Sequence, residues 1–215
     1  MTRNDHAGVG AAYDRLAEDY AAHFPGTGPE APIDLAVLDQ LVALLGRSPV
    51  VLDAGCGTGR ISRYLADRGC AVRGVDLSGG MLRMAQRDHP DIATTVGSIT
   101  DLPYDDLSFD ALVYWYSIIH LPDEALPRVF SEAARVLRPG GLAVVAFQAG
   151  DGVRDIGAGL HPLGHGVRLD RYHRQLDVVL AIAAAHGLFP LLQLTREPIG
   201  DEQDPQSSTI LRSAG

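Results

Sequence analysis

The stretch Val50–Arg60 reads VVLDAGCGTGR, and it decides the fold of the chain. It opens with a short run of β-branched and apolar residues, which is typical of a strand buried on both faces of a sheet. Three glycines at alternating positions follow, and the segment after them has helical character up to Arg68. Glycine lets the backbone approach a ligand closely, and the N–H groups at a helix N-terminus face that ligand. The stretch therefore predicts a strand, a glycine turn and a helix that together bind a nucleotide.

Composition and charge favour a single soluble domain. The chain has 215 residues, enough for one sizeable core, and its net charge of −9 argues against a broad surface for nucleic acid or anionic membranes. The two cysteines, Cys56 and Cys70, fit a reducing compartment better than a disulfide framework. The N-terminus lacks the apolar core of a signal peptide, and no apolar run approaches the roughly 18 residues of a membrane span. We expect a cytoplasmic monomer or homodimer with no nucleic-acid or membrane partner.

A carboxylate stands at the end of the second predicted strand. That strand covers Ala71–Asp76, and Asp76 lies 17 residues beyond Gly59. In doubly wound folds an acid at this place accepts hydrogen bonds from the ribose hydroxyls of the nucleotide. A short polar residue after a strand can also cap the next helix, but Ser78 already offers that cap. We predict that Asp76 binds ribose.

The spacing of the glycines separates two classes of nucleotide-binding protein. The fingerprint of nicotinamide-dependent oxidoreductases, Gly-x-Gly-x-x-Gly, would place its third glycine at Arg60 when counted from Gly55. In this chain the third glycine is Gly59, which gives Gly-x-Gly-x-Gly. This arrangement resembles the first motif of the class I S-adenosylmethionine (SAM)-dependent methyltransferases. The stretches LPYDDLSFD at 102–110 and VLRPGGLAVV at 136–145 resemble later elements of the same family.

The resemblance implies a fold and a domain organisation. The fold is α/β, a doubly wound and mostly parallel sheet of seven strands in the order 3-2-1-4-5-7-6, with the last strand antiparallel and helices on both faces. The resemblance also implies one domain over residues 1–215, with an N-terminal helical cap at about 9–46 and an irregular cap insertion at about 149–170. After that insertion the sequence predicts a helix over Arg171–His186.

The resemblance also implies SAM as the cofactor and S-adenosylhomocysteine as its product. Asp53 would hold the methionine ammonium, and Leu77 and Met81 would flank the adenine. Ser98 stands where the family usually has an acid for the adenine amino group, and a hydroxyl accepts a hydrogen bond more weakly than a carboxylate. The residues assigned to cofactor binding are Tyr13, Tyr20, Asp53, Gly55, Cys56, Gly57, Thr58, Gly59, Arg60, Asp76, Leu77, Met81, Ser98, Ile99 and Tyr116.

The first helix is predicted over Val9–Phe24, and its aromatic residues leave two interpretations open. They could pack an amphipathic helix on the core, or they could form a lid over the ligand. The string YDRLAEDY at 13–20 resembles the N-terminal cap of small-molecule methyltransferases, in which such tyrosines close over SAM.

Methyl transfer depends mainly on orienting the acceptor. The reaction is an in-line displacement, and a general base is required only when the acceptor atom must lose a proton. Ligands of such sheets bind at the carboxyl ends of the strands where strand order reverses, which places Tyr116 and His120 at the reaction. His120 is the candidate base, although a lone histidine there can also be a hydrogen-bonded wall residue. Tyr116 is expected to orient the acceptor or to contact SAM.

The glycine-rich insertion carries two histidines, His161 and His165. In position it matches the segment that often covers the substrate in this family, so both are candidate substrate contacts. Pro162 and Gly164 lie between them and argue against a helical metal-binding pair. No cysteine or carboxylate cluster completes a ligand set, so we expect no metal.

Small size and acidic charge favour a small-molecule methyl acceptor. Methylation of oxygen, nitrogen or carbon stays open. Two other functions compete with this interpretation: a non-catalytic or repurposed SAM-binding protein and, less favoured by the glycine spacing, a nicotinamide-dependent oxidoreductase.

Overall fold

The computed structural model describes residues 6–157 and 168–214. His161 and His165, the predicted substrate contacts, lie outside the described residues. The helices in the described part of the chain are α1 (His6–His23), α2 (Pro32–Leu44), α3 (Arg60–Ala66), α4 (Gly79–Asp88), α5 (Leu126–Val136) and α6 (Leu176–Ala185). None of the described helices is long and apolar enough to cross a membrane.

A seven-stranded sheet forms the centre of the fold. In space its strands follow the order β3, β2, β1, β4, β5, β9, β8. The first five are parallel, whereas β9 runs antiparallel to both of its neighbours. The strand bounds are β1 (Val50–Ala54), β2 (Ala71–Asp76), β3 (Ala93–Val96), β4 (Phe109–Trp115), β5 (Leu137–Gln148), β8 (Leu188–Arg196) and β9 (Gln206–Ser213). The predicted strand order is confirmed, because β8 and β9 are the sixth and seventh strands of this sheet along the chain.

Alternation along the central strands builds an apolar layer on each face of the sheet. Successive side chains of a strand point to opposite faces, and Val51 and Leu52 accordingly belong to different apolar clusters. Helices α5 and α6 cover the face that includes Leu52. Helices α2 and α3 cover the face that includes Val51. Strands β1 and β4 pair in parallel, so their carboxyl ends lie side by side. A doubly wound sheet binds its ligand at such a place.

The segment before α6 differs from the sequence prediction. The helix predicted over Arg171–His186 begins only at Leu176, so its predicted start is wrong. Residues Asp170–Tyr172 instead form β7, which pairs antiparallel with β6 (Val153–Asp155). These two short strands bound the region from 149 to 170 that was expected to be irregular. Helical periodicity cannot reveal a strand whose partner lies on the far side of an insertion.

Buried polar bonds hold this segment in place. The Arg174 side chain is almost fully buried and donates to the carbonyl oxygens of Ile118 and Leu121. It also pairs with Asp123 at 2.7 Å. Those contacts fix the segment after β7 against the turn that follows β4.

The turn after β1 can accommodate only glycine at its first position. Gly55 has a φ of +85°, and a Cβ built there would lie 2.3 Å from the Cβ of Ser117. Gly57 also has a positive φ, of +54°, but a Cβ there would have no heavy atom within 4 Å. The two glycines therefore differ in packing while sharing an unusual backbone conformation.

We predict that Gly55→Ala destabilises the protein far more than Gly57→Ala. The left-handed conformation alone costs about 1–2 kcal/mol for alanine. At Gly55 the overlap with Ser117 raises the loss to about 3 kcal/mol or more. Denaturant unfolding of the ligand-free protein measures both losses, and equal losses for the two variants would contradict this packing argument.

Candidate cofactor and acceptor site

A cavity of about 670 Å³ opens at the carboxyl ends of β1 and β4. This volume is typical of a small-molecule site. The glycine turn forms its floor, and α1 forms its roof. Among the described residues predicted for the site, the lining includes Tyr13, Tyr20, Asp53, Gly55, Cys56, Gly57, Thr58, Arg60, Asp76, Leu77, Met81, Ile99, Tyr116 and His120.

Two of the three glycines of the turn face this cavity. Gly55 and Gly57 line it, whereas Gly59 does not. A Cβ on Gly59 would lie 3.3 Å from the Cβ of Ala85, so this glycine lets α3 pack against α4. The structure therefore separates Gly59 from the close approach to the ligand that was predicted for all three.

Asp76 joins the glycine turn to the start of α4. One carboxylate oxygen accepts a hydrogen bond from the N–H of Gly57 at 2.9 Å, and the other accepts from the N–H of Ser78 at 2.8 Å. Burial raises the pKa of Asp76, and these two backbone bonds oppose that shift. Each carboxylate oxygen can accept about two hydrogen bonds, so both keep capacity for a ligand hydroxyl.

Asp53 is a buried carboxylate at the end of β1. Its Oδ2 accepts a hydrogen bond from the Ser62 hydroxyl at 2.6 Å. Burial raises the pKa of Asp53 to about 6, although the bond from Ser62 acts in the opposite direction. A buried carboxylate of this kind is stabilised by a cation, and the ammonium of an amino acid supplies one.

The far end of the cavity floor is apolar and differs from the prediction at one residue. Leu77, Met81 and Ile99 line it, but Ser98 does not. The Ser98 hydroxyl instead lies 2.8 Å from the hydroxyl of Thr100 and accepts from the Thr100 N–H at 3.1 Å. The structure therefore does not bring Ser98 to the cavity wall.

Two further features of the cavity floor, at Ser117 and Gly57, fit a ligand with polar groups. The Ser117 hydroxyl is buried without a hydrogen-bond partner among the described residues, and it lines the cavity. The open space beside Gly57 lets a ligand lie directly on the backbone. Together with Asp53 and Asp76, these features match the ammonium, the hydroxyls and the flat base of SAM.

Helix α1 both packs on the domain and covers the cavity. Leu16 is fully buried beside Leu169, whereas Tyr13, Tyr20 and Phe24 line the roof. The rings of Tyr13 and Tyr20 lie 6.2 Å apart, edge to face, and those of Tyr20 and Phe24 lie 4.8 Å apart. The aromatic residues thus lie over the cavity, as the lid interpretation expects, while apolar residues such as Leu16 pack the helix on the domain.

The Asp14 carboxylate joins α1, the roof of the cavity, to the start of α4 through hydrogen bonds. Asp14 accepts hydrogen bonds from the Ser78 hydroxyl at 2.7 Å and from the Gly80 N–H at 2.6 Å. Those bonds lower the pKa of Asp14. Gly80 permits this approach, because a Cβ there would lie 2.9 Å from the Cα of Asp14. The N-terminus of α4 is favourable for a negative charge, so the helix dipole also stabilises the Asp14 carboxylate in this position.

His120 forms a hydrogen-bonded pair with Tyr13 at the roof. Its Nδ1 lies 2.8 Å from the carbonyl oxygen of Asp170, which can only accept, so Nδ1 carries the proton. Its Nε2 lies 2.8 Å from the Tyr13 hydroxyl and accepts that hydrogen bond in the neutral ring. Burial lowers the pKa of His120, which keeps the ring neutral and its Nε2 lone pair available.

Tyr116 reaches the cavity from a rare backbone conformation. Its φ is +55°, which is unusual for a bulky residue and is found mostly at functional sites. A hydrogen bond of 3.0 Å from its N–H to the carbonyl of Ala146 holds it there. Burial raises the pKa of the Tyr116 hydroxyl, so this group acts as a neutral donor.

Arg60 links the glycine turn to the segment between α1 and α2. It forms an ion pair with Glu30 and a hydrogen bond with Tyr20. The Trp115 indole donates to the same Glu30 carboxylate at 3.3 Å. The Arg60 side chain is therefore bonded to Glu30 and Tyr20 of this chain, whereas the resemblance assigned Arg60 to cofactor binding.

Sequence reasoning missed several residues that line or close the cavity. Asp14, Glu30 and Arg171 act through partners far away in the chain, and no local pattern marks them. Gln148 carried a usable signal, because it ends a parallel strand at the same edge as Asp53 and Asp76. No group of three or more metal-ligating side chains occurs within residues 6–157 and 168–214.

Known proteins with similar sequences indicate the family of this chain. A family described as a methyltransferase domain matches residues 51–141. The chain is 30% identical over 193 residues to the malonyl acyl-carrier-protein O-methyltransferase of Enterobacter lignolyticus, which covers 89% of this chain and 73% of that protein. It is 35% identical over 149 residues to the demethylmenaquinone methyltransferase of Renibacterium salmoninarum, of which it spans 61%.

Solved structures share the fold at lower identity. A SAM-dependent methyltransferase from Methanosarcina mazei superposes with a TM-score of 0.69 at 17% identity, over 86% of this chain and 98% of the other. The 1,6-didemethyltoxoflavin-N1-methyltransferase of Burkholderia thailandensis, solved with its acceptor and S-adenosylhomocysteine, gives 0.67 at 21% identity, over 100% of this chain and 93% of the other.

The fold and the cavity define a Rossmann-like protein that holds a nucleoside at the carboxyl ends of its parallel strands. The chain belongs to the class I SAM-dependent methyltransferases, and SAM is its cofactor. The predicted family, fold class and cofactor are confirmed.

We predict that Asp53→Asn weakens SAM binding by about ten- to a hundredfold near neutral pH. The variant keeps the size of the side chain but removes the charge that pairs with the ligand ammonium, and such charged bonds contribute about 1.5–3 kcal/mol. Calorimetric titration measures the loss, and Asp39→Asn, which changes an exposed acid outside the cavity lining, is the control.

The pH dependence of the same titration adds a second criterion. The wild-type carboxylate is charged above its pKa of about 6, so SAM affinity should fall as the pH drops through that value. Asp53→Asn should lose this component. An affinity that is unchanged by the substitution would remove Asp53 from the binding site.

Proposed function

We propose that this chain transfers the methyl group of SAM to a small-molecule acceptor bound in the same cavity. The observation that carries the proposal is one cavity lined by two chemically different groups of residues. The first is the glycine turn with Asp53 and Asp76, and we call this part of the lining the cofactor end. The second is the Tyr13–His120 pair beneath α1, and we call this part the acceptor end.

The cofactor end would hold SAM through groups already in place. Asp53 receives the ammonium, Asp76 receives the ribose hydroxyls, and Leu77 and Met81 flank the adenine. Bound SAM supplies an electrophilic methyl group on a sulfonium centre and leaves as the thioether S-adenosylhomocysteine. The protein's part is to align the acceptor with that methyl group and to exclude water.

His120 serves as the general base when the acceptor atom carries a proton. The Tyr13 hydroxyl already donates to His120 Nε2. A proton leaving an acceptor O–H or N–H passes to the Tyr13 oxygen while the Tyr13 proton moves to Nε2. The low pKa of His120 then favours release of that proton to solvent.

Other features support a small acceptor. The roof of α1 restricts access from above, and 670 Å³ leaves little room beyond a nucleoside cofactor and a compact partner. The Burkholderia enzyme with the same fold is named for 1,6-didemethyltoxoflavin. The relatives are named for demethylmenaquinone and for malonyl acyl-carrier protein. Tyr116 would orient the acceptor from the wall.

The remaining expectations belong to the same proposal. The chain would act as one domain over residues 1–215 with α1 and α2 as its cap, in the cytoplasm, as a monomer or homodimer. It would bind no nucleic acid. The net charge of −9 supports this view.

We predict that His120→Ala lowers kcat by about a hundredfold or more for an acceptor that loses a proton, while SAM affinity stays unchanged. Tyr13→Phe should show a loss of similar direction, since it interrupts the proton path. The assay follows S-adenosylhomocysteine released with a mixed panel of phenols, amines and heterocycles. His186→Ala, outside the cavity lining, is the matched control.

Two results would contradict this account. Full turnover by His120→Ala would eliminate His120 as the base. SAM binding with no methylated product across the panel would favour a non-catalytic SAM-binding protein instead.

A further inference from the structure

Two glutamines face each other across neighbouring strands at the acceptor end of the cavity. Gln148 is the last residue of β5, and it pairs in antiparallel register with Gln206, the first residue of β9. Side chains of directly opposed residues lie on the same face of a sheet. Both residues line the cavity.

The carbonyl oxygens of these amides are buried and without partners. The Gln206 side-chain nitrogen donates to the backbone oxygen of Asp204 at 2.7 Å, which fixes the orientation of that amide. Its Oε1 has no hydrogen-bond partner among the described residues, and the same holds for Gln148 Oε1. Gln206 itself is only 7% exposed. Buried acceptors are normally satisfied in native proteins, so these two oxygens call for donors that the described residues do not supply.

An arginine with a spare donor lies on the adjoining wall. Arg171 of β7 lines the cavity and pairs with Asp204 through one terminal nitrogen. Its Nε is buried and has no hydrogen-bond partner among the described residues. Asp204 also pairs with Arg154, so two arginines share its negative charge. The charge of Arg171 is therefore already paired, while its Nε–H is still available to donate a hydrogen bond.

The wall is continuous with the proposed base. Asp170, which precedes Arg171, accepts the hydrogen bond from His120 Nδ1. The Arg171 partner Asp204 in turn accepts from Gln206 through its backbone oxygen. A compact ligand that touches the two amides thus lies against the same short strand that orients His120.

Charge narrows the kind of ligand further. Among the described residues, seven acidic side chains line the cavity, against the two arginines Arg60 and Arg171. Both arginines are already paired with carboxylates. A carboxylate or phosphate ligand would add negative charge to this lining, which electrostatic repulsion opposes.

We propose that Gln148, Gln206 and Arg171 recognise a neutral acceptor whose N–H or O–H donor lies beside a carbonyl oxygen, as in a lactam or a hydroxylated carbonyl compound. The donor satisfies the amide oxygens, and the carbonyl oxygen accepts from Arg171. This inference rests on the proposed function, because it names the class of acceptor for the same cavity. It selects neutral carbonyl compounds with an adjacent N–H or O–H donor over hydrocarbons and over carboxylates.

The test is a binding titration of the full chain loaded with S-adenosylhomocysteine. The probes are bicyclic compounds of similar size: carbostyril, a lactam; N-methylcarbostyril, which lacks the donor; quinoline, which lacks the carbonyl; and quinaldate, a carboxylate. We expect carbostyril to bind at least about tenfold more tightly than the other three, because only it matches both the amide oxygens and the arginine.

Variants connect that preference to the named residues. Gln148→Met and Gln206→Met keep side-chain length but lose the acceptor, and each should reduce the preference for carbostyril severalfold while affinity for S-adenosylhomocysteine stays within about twofold. That retained affinity also shows that the variant is folded. Gln193→Met on exposed β8 is the control.

Each remaining outcome has a definite meaning. Equal binding of N-methylcarbostyril, quinoline or quinaldate, a preference that survives both glutamine substitutions, or no binding of any probe to the loaded protein would overturn this proposal. Failure of S-adenosylhomocysteine itself to bind would instead overturn the proposed function.

Discussion

The hydrogen bonds of Asp76 hold the site together. One carboxylate oxygen receives the Gly57 N–H of the glycine turn, and the other receives the Ser78 N–H at the start of α4. Ser78 in turn donates to Asp14 of α1. A single half-buried acid therefore joins the floor of the cavity to α4 and, through Ser78, to the roof. The same carboxylate lines the cavity, so under the proposed ribose role ligand binding and the position of α1 would share one interaction.

Short-range patterns were enough to predict the framework. The apolar run before Gly55, the acid at the end of the second strand and the glycine spacing each reflect a local requirement of backbone geometry. Strand order followed from the resemblance that those motifs support. The floor residues Asp53 and Asp76 could be predicted for the same reason, since each lies at the carboxyl end of a parallel strand.

Other parts of the site could not be predicted in the same way. Asp14, Arg171 and Gln206 contact partners on other elements, so their roles depend on tertiary packing. Ser98 was expected at the adenine on the basis of its position in the family pattern, but its hydroxyl bonds to Thr100. The start of the last helix was misplaced because strand pairing with β6 overrides helical periodicity. These contacts form only in the folded chain, so no local pattern of the sequence reveals them.

Hydrogen–deuterium exchange with and without S-adenosylhomocysteine tests the central claim most directly: the cofactor binds between the glycine turn and α1, and Asp76 and Asp14 couple the two. Because ligand contacts slow local opening, the account predicts slower exchange in both the 55–60 turn and α1 at 6–23 when the ligand is added. Slower exchange in neither segment, or in the turn alone with α1 unchanged, would contradict it.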